Sequence, residues 1–182
     1  MTSFAFETTA LQPRVRMATV ADAEGMARVS VDTWKLTYGD ILPSDYLARM
    51  RRTAHETQRR RMMSSADTAH FIAEEPMTGE TVGFSSAGPA RDGVADATAE
   101  IYELYVQNGF QRQGLGHRLV EAAGAWLAGR GHEGVIIWVL ADNPNRGFYK
   151  RIGGQLAGRR SIRVGGADVD EAAYVLRLER GG

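Results

Sequence analysis

Val106 to Val120 read VQNGFQRQGLGHRLV. A strand-like segment, EIYELYV at 100–106, runs into this stretch, and a helix-like run from Leu115 to Ala128 leaves it. Three glycines, Gly109, Gly114 and Gly116, and one arginine, Arg112, crowd the junction. Glycine tolerates left-handed backbone and leaves its N–H group uncovered, so a glycine turn at a helix N-terminus is suited to hold an anion. Which anion depends on the rest of the chain.

Composition removes several classes. The chain has 182 residues, enough for one domain with a sizeable core. It is 43% hydrophobic and 24% charged, and 22 basic residues balance 22 acidic ones. Zero net charge argues against DNA, RNA or an anionic membrane as the main partner. There is no cysteine, hence no disulfide scaffold, thiol nucleophile or cysteine zinc site. His55, His70, His117 and His132 lack metal-motif spacing, so no metal is expected. No apolar run approaches the ~20 residues of a membrane span, and no signal-peptide pattern opens the chain, so a cytoplasmic protein is the default expectation.

Working outward from the glycine turn, residues 1–13 read as a loose arm ended by Pro13, and 14–182 as a single domain. RVRMA at 14–18 alternates like a strand, and Thr19 with Asp22 offers a capping box. A helix follows with Met26, Val29, Thr33 and Trp34 at helical spacing, and a second helix spans roughly 44–63. AHFIAEE and ETVGFSSAG read as strands joined by the turn PMTG. After the glycine turn, the helix turns Leu115, Leu119, Ala123 and Trp126 inward. VIIWVL at 135–140 is an unbroken apolar run, the pattern of a strand buried on both faces. NPNRGFYKRIGG reads as a short helix, and GRRSIRV and EAAYVLRLE as strands turning at Gly165-Gly166. The order β-α-α-β-β-β-α-β-α-β-β implies an α/β (α+β) mixed sheet covered by helices.

Three phosphate motifs compete for the turn. A P-loop needs Lys and Ser/Thr after its second glycine, where this chain has Leu115 and Gly116. A dinucleotide fingerprint needs a small residue where Leu119 stands. The third, Q/R-x-x-G-x-G/A, is met in full by QRQGLG: Gln111, Gly114 and Gly116. With EIYELYV before it and WVLADNP and FYKRIGG after it, the sequence resembles the GNAT superfamily of acetyl-CoA-dependent N-acetyltransferases over roughly residues 14–178.

The resemblance implies the GNAT fold: about seven mostly antiparallel strands with a central splayed pair, flanked by about four helices. It implies that acetyl-CoA is the cosubstrate, with its pyrophosphate on Gln111, Arg112, Gln113, Gly114, Leu115, Gly116 and His117. Its pantetheine would lie along Leu104, Tyr105 and Val106 as an added strand, with Asn143 or Asn145 bonding it. Tyr149 matches the family tyrosine that protonates the departing thiolate. Glu100, eleven residues before Gln111, has the spacing of the glutamate base in histone-type members; Glu103 or water are the alternatives. Simple alternation sets Glu100 and Glu103 on opposite faces of the strand, before any bulge is considered. The chain departs from the common N-x-x-A-x-x-F-Y pattern. Asn143 lies six positions before Tyr149 rather than seven, and Arg146 takes the place of the small residue, from where it could reach a CoA phosphate.

In the family the first two helices wall the acceptor site, which here assigns Trp34 and Tyr38 to the acceptor; Glu103, on the strand before the glycine turn, is assigned to it as well. The acceptor itself is a primary amine of a small molecule or amino acid. A peptide N-terminal or lysine amine, and a non-catalytic acyl-CoA sensor, are the alternatives. The arginines of RMRRTAHETQRRR read as a solvated helix face. GFSSA lacks the final glycine of an esterase elbow and lies between strands, which excludes a serine hydrolase. The two final strands could pair across a homodimer.

Overall fold

A computed structural model describes residues 12–179. The arm expected at 1–13 therefore lies, apart from its last two residues, outside the described part. Seven strands form one sheet: β1 (Arg14–Met17), β2 (Ala69–Glu74), β3 (Thr81–Pro89), β4 (Ala99–Val106), β5 (Gly134–Leu140), β6 (Gln155–Val164) and β7 (Ala167–Arg177). Their spatial order is β1-β2-β3-β4-β5-β7-β6. Every neighbouring pair is antiparallel except β4 and β5. The helices are α1 (Ala23–Thr37), α2 (Ser44–Arg49), α3 (Arg52–Met62), α4 (Leu115–Ala128) and α5 (Gly147–Arg151).

The chain enters α1 through a tight turn at Val20–Asp22. The Asp22 carboxylate accepts from the Thr19 backbone N–H at 2.7 Å and also pairs with Arg16, so the capping box expected there is tied to β1. Met26 and Val29 of α1 are fully buried against Ile72 and Phe84 on one face of the sheet. On the other face Leu115, Leu119, Ala123 and Leu127 of α4 meet Ile101, Val135, Ile137 and Val139. Leu127 takes the core position expected of Trp126, which is only partly buried and lies under the Arg130 guanidinium, 3.6 Å from its ring centroid.

The single helix expected at 44–63 is two helices. Met50 and Arg51 adopt extended backbone between them. The break serves two different surfaces. Leu47 of α2 joins Tyr38, Leu42 and Leu140, whereas α3 turns back onto α1, where Arg52 pairs with Asp32 and Arg59 lies buried over the Phe84 ring. A straight helix could not cover both. The helix around Tyr149 is likewise shorter than expected, only Gly147–Arg151. The Asn143 side chain accepts from the Asn145 N–H at 2.8 Å, which closes a turn in place of a first helical turn. The last hairpin turns at Gly165-Gly166 as expected, both with positive φ, but its strands are longer than the sequence patterns indicated.

Candidate active site

Two irregularities in β4 create the site. Opposite β3, Ser86 pairs with Glu103 and Ala87 with Ile101, so Tyr102 is an extra residue, a β-bulge. Beside β5, β4 is paired only at Ala99–Val135 and Glu100–Ile136. From Ile101 onward the two strands separate, while β5 stays paired with β7 as far as Leu140. The gap opens a cleft of about 610 Å³. One end is lined by Gly114, Leu115, Gly116 and His117 of the turn and α4, and by Phe148 and Tyr149 of α5. The other end is lined by Trp34 and Tyr38 of α1 and by Ile162, Val164 and Glu171 of the last hairpin. The cleft thus links the α4 side of the sheet to the α1 side through the gap.

The bulge also overturns the alternation argument for the two glutamates. Ile101, Leu104 and Val106 all pack toward α4, so the extra residue resets the parity. Glu100 and Glu103 consequently share the opposite face. Glu100 is 1% exposed, outside the cleft, and held by the backbone N–H and guanidinium of Arg91. Its carboxylate is thus engaged in an ion pair outside the cleft lining, which speaks against the role of base that its spacing implied. Glu103 does line the cleft, but both its oxygens accept from Arg59, at 2.7 and 3.0 Å. Removing Arg91 strands a buried carboxylate. Arg91→Ala is expected to lower unfolding free energy by about 3 kcal/mol, the low end for a broken buried pair because water can replace the exposed guanidinium. Chemical denaturation checks this, with acetyl-CoA affinity unchanged.

The glycine turn has the geometry an anion requires. Gly114 has φ +77°, and a Cβ placed there would meet nothing within 4 Å, so its outer side is open. Arg112 also has positive φ, at 62°. Gln111 Nε2 donates to the Val106 carbonyl at 2.9 Å and ties the turn to β4. Gly116 is the packed member: a Cβ there would lie 3.4 Å from the Phe148 ring. With α4 beginning at Leu115, its free N–H groups and dipole face the same opening. These residues fit a diphosphate, and the unpaired edge of β4 fits the amides of a pantetheine arm. Gln113, bonded to the Gly109 carbonyl at 3.2 Å, and Arg146 stand outside the cleft lining.

Over residues 34–154 the chain matches the model of the acetyltransferase (GNAT) family. The chain belongs to the GNAT family. A curated relative, the uncharacterized N-acetyltransferase YuaI of Bacillus subtilis, is 29% identical over 157 residues, covering 86% of this chain and 88% of the relative. Among solved structures, the PaiA N-acetyltransferase of Thermoplasma acidophilum in complex with coenzyme A has a TM-score of 0.67 at 18% identity, covering 89% of this chain and 98% of that one. A GNAT phosphinothricin acetyltransferase of Sinorhizobium meliloti in complex with acetyl-CoA has a TM-score of 0.70 at 16% identity, covering 92% and 89%. At those identities the structural likeness speaks for the GNAT fold alone. Family membership makes the chain an N-acetyltransferase of GNAT type.

Tyrosine hydroxyls concentrate around the gap of this GNAT cleft. Tyr149 is 8% exposed and stacks on Tyr174 with ring centroids 5.6 Å apart. Burial raises its pKa, with nearby Tyr38 and Tyr174 adding to the effect, so its proton is retained throughout the physiological range. The Tyr38 hydroxyl accepts from Asn143 Nδ2 at 2.8 Å, and the Tyr105 hydroxyl from Trp34 Nε1 at 2.6 Å. Asn143 is thus engaged at both ends of its amide, while Asn145 also lines the cleft. The Tyr38 phenol is pushed from 10.0 up to about 12, chiefly by burial. A raised phenol pKa favours the folded state only while the phenol is protonated. Stability should accordingly be full below pH 10 and decline as pH rises toward about 12; thermal melts across that window read it. Tyr38→Phe should flatten part of the decline.

Sequence reasoning missed Phe148, Arg151, Ile162, Val164 and Glu171, all of which line the cleft. Phe148 and Arg151 flank Tyr149 and were within reach of the motif. The three hairpin residues carry no motif, and only the alternation of β7, which sets Glu171 inward and Asp170 outward, could have singled one out.

Proposed function

We propose that this chain transfers the acetyl group of acetyl-CoA to the primary amine of a small molecule by direct attack in a ternary complex. The observation that carries the reading is the lost β4–β5 ladder directly before the glycine turn. It supplies an edge for pantetheine, an anion cradle at one end and a separate chamber at the other. In this reading the pyrophosphate rests on the backbone N–H groups from Gly114 to His117, with Arg112 adding charge. Leu104, Tyr105 and Val106 offer main-chain groups to the pantetheine.

Acetyl-CoA brings an activated thioester. The acceptor ammonium must first lose a proton, since a typical alkylamine has a pKa near ~10.4. Glu103 is clamped by Arg59 and serves as a fixed anion that orients the amine, while the proton leaves through cleft water. The neutral nitrogen attacks the carbonyl carbon, a C–N bond forms and the C–S bond breaks. Tyr149 gives its phenolic proton to the departing sulfur and regains one from the new amide nitrogen through solvent. The products are an N-acetylamine and the free thiol.

The test is thiol release from acetyl-CoA with an amine panel, with the products weighed by mass spectrometry. One acetylated amine formed per thiol released supports the reading. Thiol release independent of any amine indicates a thioesterase instead.

A further inference from the structure

Among the described residues, the acidic and basic side chains that line the cleft divide by position. At the end formed by the glycine turn, α4 and α5 they are Arg112, His117 and Arg151, and no carboxylate is among them. Toward α1 and the last hairpin they are Glu103 and Glu171, and neither Arg nor Lys lines that end. One end thus suits phosphates and the other a cation.

The two carboxylates are held differently. Arg59 donates to both oxygens of Glu103 and is not itself among the cleft-lining residues. Glu171 accepts from Arg160 through Oε2 alone. Arg160 also bonds Asp92, so one guanidinium serves two carboxylates and the cluster keeps a negative excess. Aromatic rings line the same cleft: Trp34, edge-on to Tyr38 at 5.1 Å, and Trp138, whose face the Arg160 guanidinium already covers. Such rings tolerate an organic cation. Directly alongside, Asp40, Asp142, Asp168 and Asp170 border a second depression, built from residues adjacent in sequence to cleft-lining Leu140 and Glu171. Arg163, opposite Asp168 in the hairpin, is one nearby counter-charge, and Arg160 is another.

We infer that the acceptor is a carboxylate-free organic dication, an aliphatic diamine or longer polyamine, with its reacting nitrogen beside Glu103 and its second ammonium at Glu171. This rests on the acetyl-transfer reading and narrows it. An amino acid would bring its own carboxylate toward Glu103 and Glu171, where no described Arg or Lys lines the cleft to receive it. Like-charge juxtaposition of that kind is how sites reject a wrong partner. The dication instead finds two carboxylates on the lining of that part of the cleft, Glu103 from β4 and Glu171 from β7.

The experiment compares three acceptors of equal length, a four-carbon diamine, butylamine and the four-carbon ω-amino acid, by thiol release at saturating acetyl-CoA. The expected order of kcat/KM is diamine, then butylamine, then ω-amino acid, with at least about tenfold between first and last. Equal or better turnover of the ω-amino acid overturns the proposal. Glu171→Gln should raise KM for the diamine, leave KM for butylamine in place and leave the Kd for acetyl-CoA unchanged; a merely structural role would shift all three. Acetyl-CoA affinity is measured separately by calorimetry on the same protein. No binding there removes the acetyl-transfer reading and this inference with it. Should acetyl-CoA bind and none of the three be acetylated, titration of the diamine into the CoA-loaded protein decides. Binding that Glu171→Gln weakens supports the inference, and no binding rejects it.

Discussion

Replacing Gly114 by valine is expected to raise the Kd for acetyl-CoA at least about 100-fold, the equivalent of losing two charge-assisted hydrogen bonds at about 1.5–3 kcal/mol each. The argument rests on where the lost space lies. A Cβ at Gly114 would touch no protein atom within 4 Å, so the branched side chain points into open space in front of the α4 N-terminus. That is the space through which a diphosphate must reach the backbone N–H groups. The fold pays a smaller penalty, because φ +77° is unfavourable for any residue with a Cβ by roughly 1–2 kcal/mol. Gly114→Ala separates the two effects, since alanine bears the backbone strain with far less bulk. Calorimetric Kd and thermal melts on both variants give the answer. A valine variant that melts slightly lower and binds acetyl-CoA with unchanged Kd would remove the glycine turn from the phosphate site.

Tyr149→Phe is expected to lower kcat by about 10²–10⁴, the usual range for a lost general acid, while the acetyl-CoA Kd barely moves. The ring keeps its stack on Tyr174 and its place in the core, and no hydrogen bond of the hydroxyl to another described residue is lost. Burial keeps the phenol protonated, which is the state an acid needs before the thiolate departs. Steady-state kinetics beside calorimetry distinguish the roles. Equal losses in kcat and affinity would mean that Tyr149 packs against the cosubstrate and transfers no proton.

The parts of the site legible in the sequence are those where backbone chemistry dictates the residue. The positive φ at Gly114 favours glycine, and the residue sits between an apolar strand and an apolar helix, so QRQGLG could be read in place. VIIWVL announced β5 by its unbroken apolar run, and the order of elements around it implied the mixed sheet. The hidden parts depend on partners distant in the chain. Glu100 has the spacing of a base, yet Arg91, on the loop before β4, draws it out of the cleft. The bulge at Tyr102 that puts both glutamates on one face has no glycine or proline to mark it. The break at Met50 and Arg51 is equally unmarked, because it answers to the two surfaces that α2 and α3 cover. Glu171 is one acidic residue among several in its hairpin, and its neighbours Tyr38 and Leu140 come from other elements.

The central claim is that the glycine turn holds the pyrophosphate of acetyl-CoA while the β4 edge holds its pantetheine. Calorimetric titration of the wild-type protein with acetyl-CoA, and then with acetyl-pantetheine, which lacks the pyrophosphate, tests it most directly. The account predicts tight binding of acetyl-CoA and much weaker binding of acetyl-pantetheine, with the difference largely erased in Gly114→Val. Equal affinity for the two ligands, or no binding of either, would contradict it.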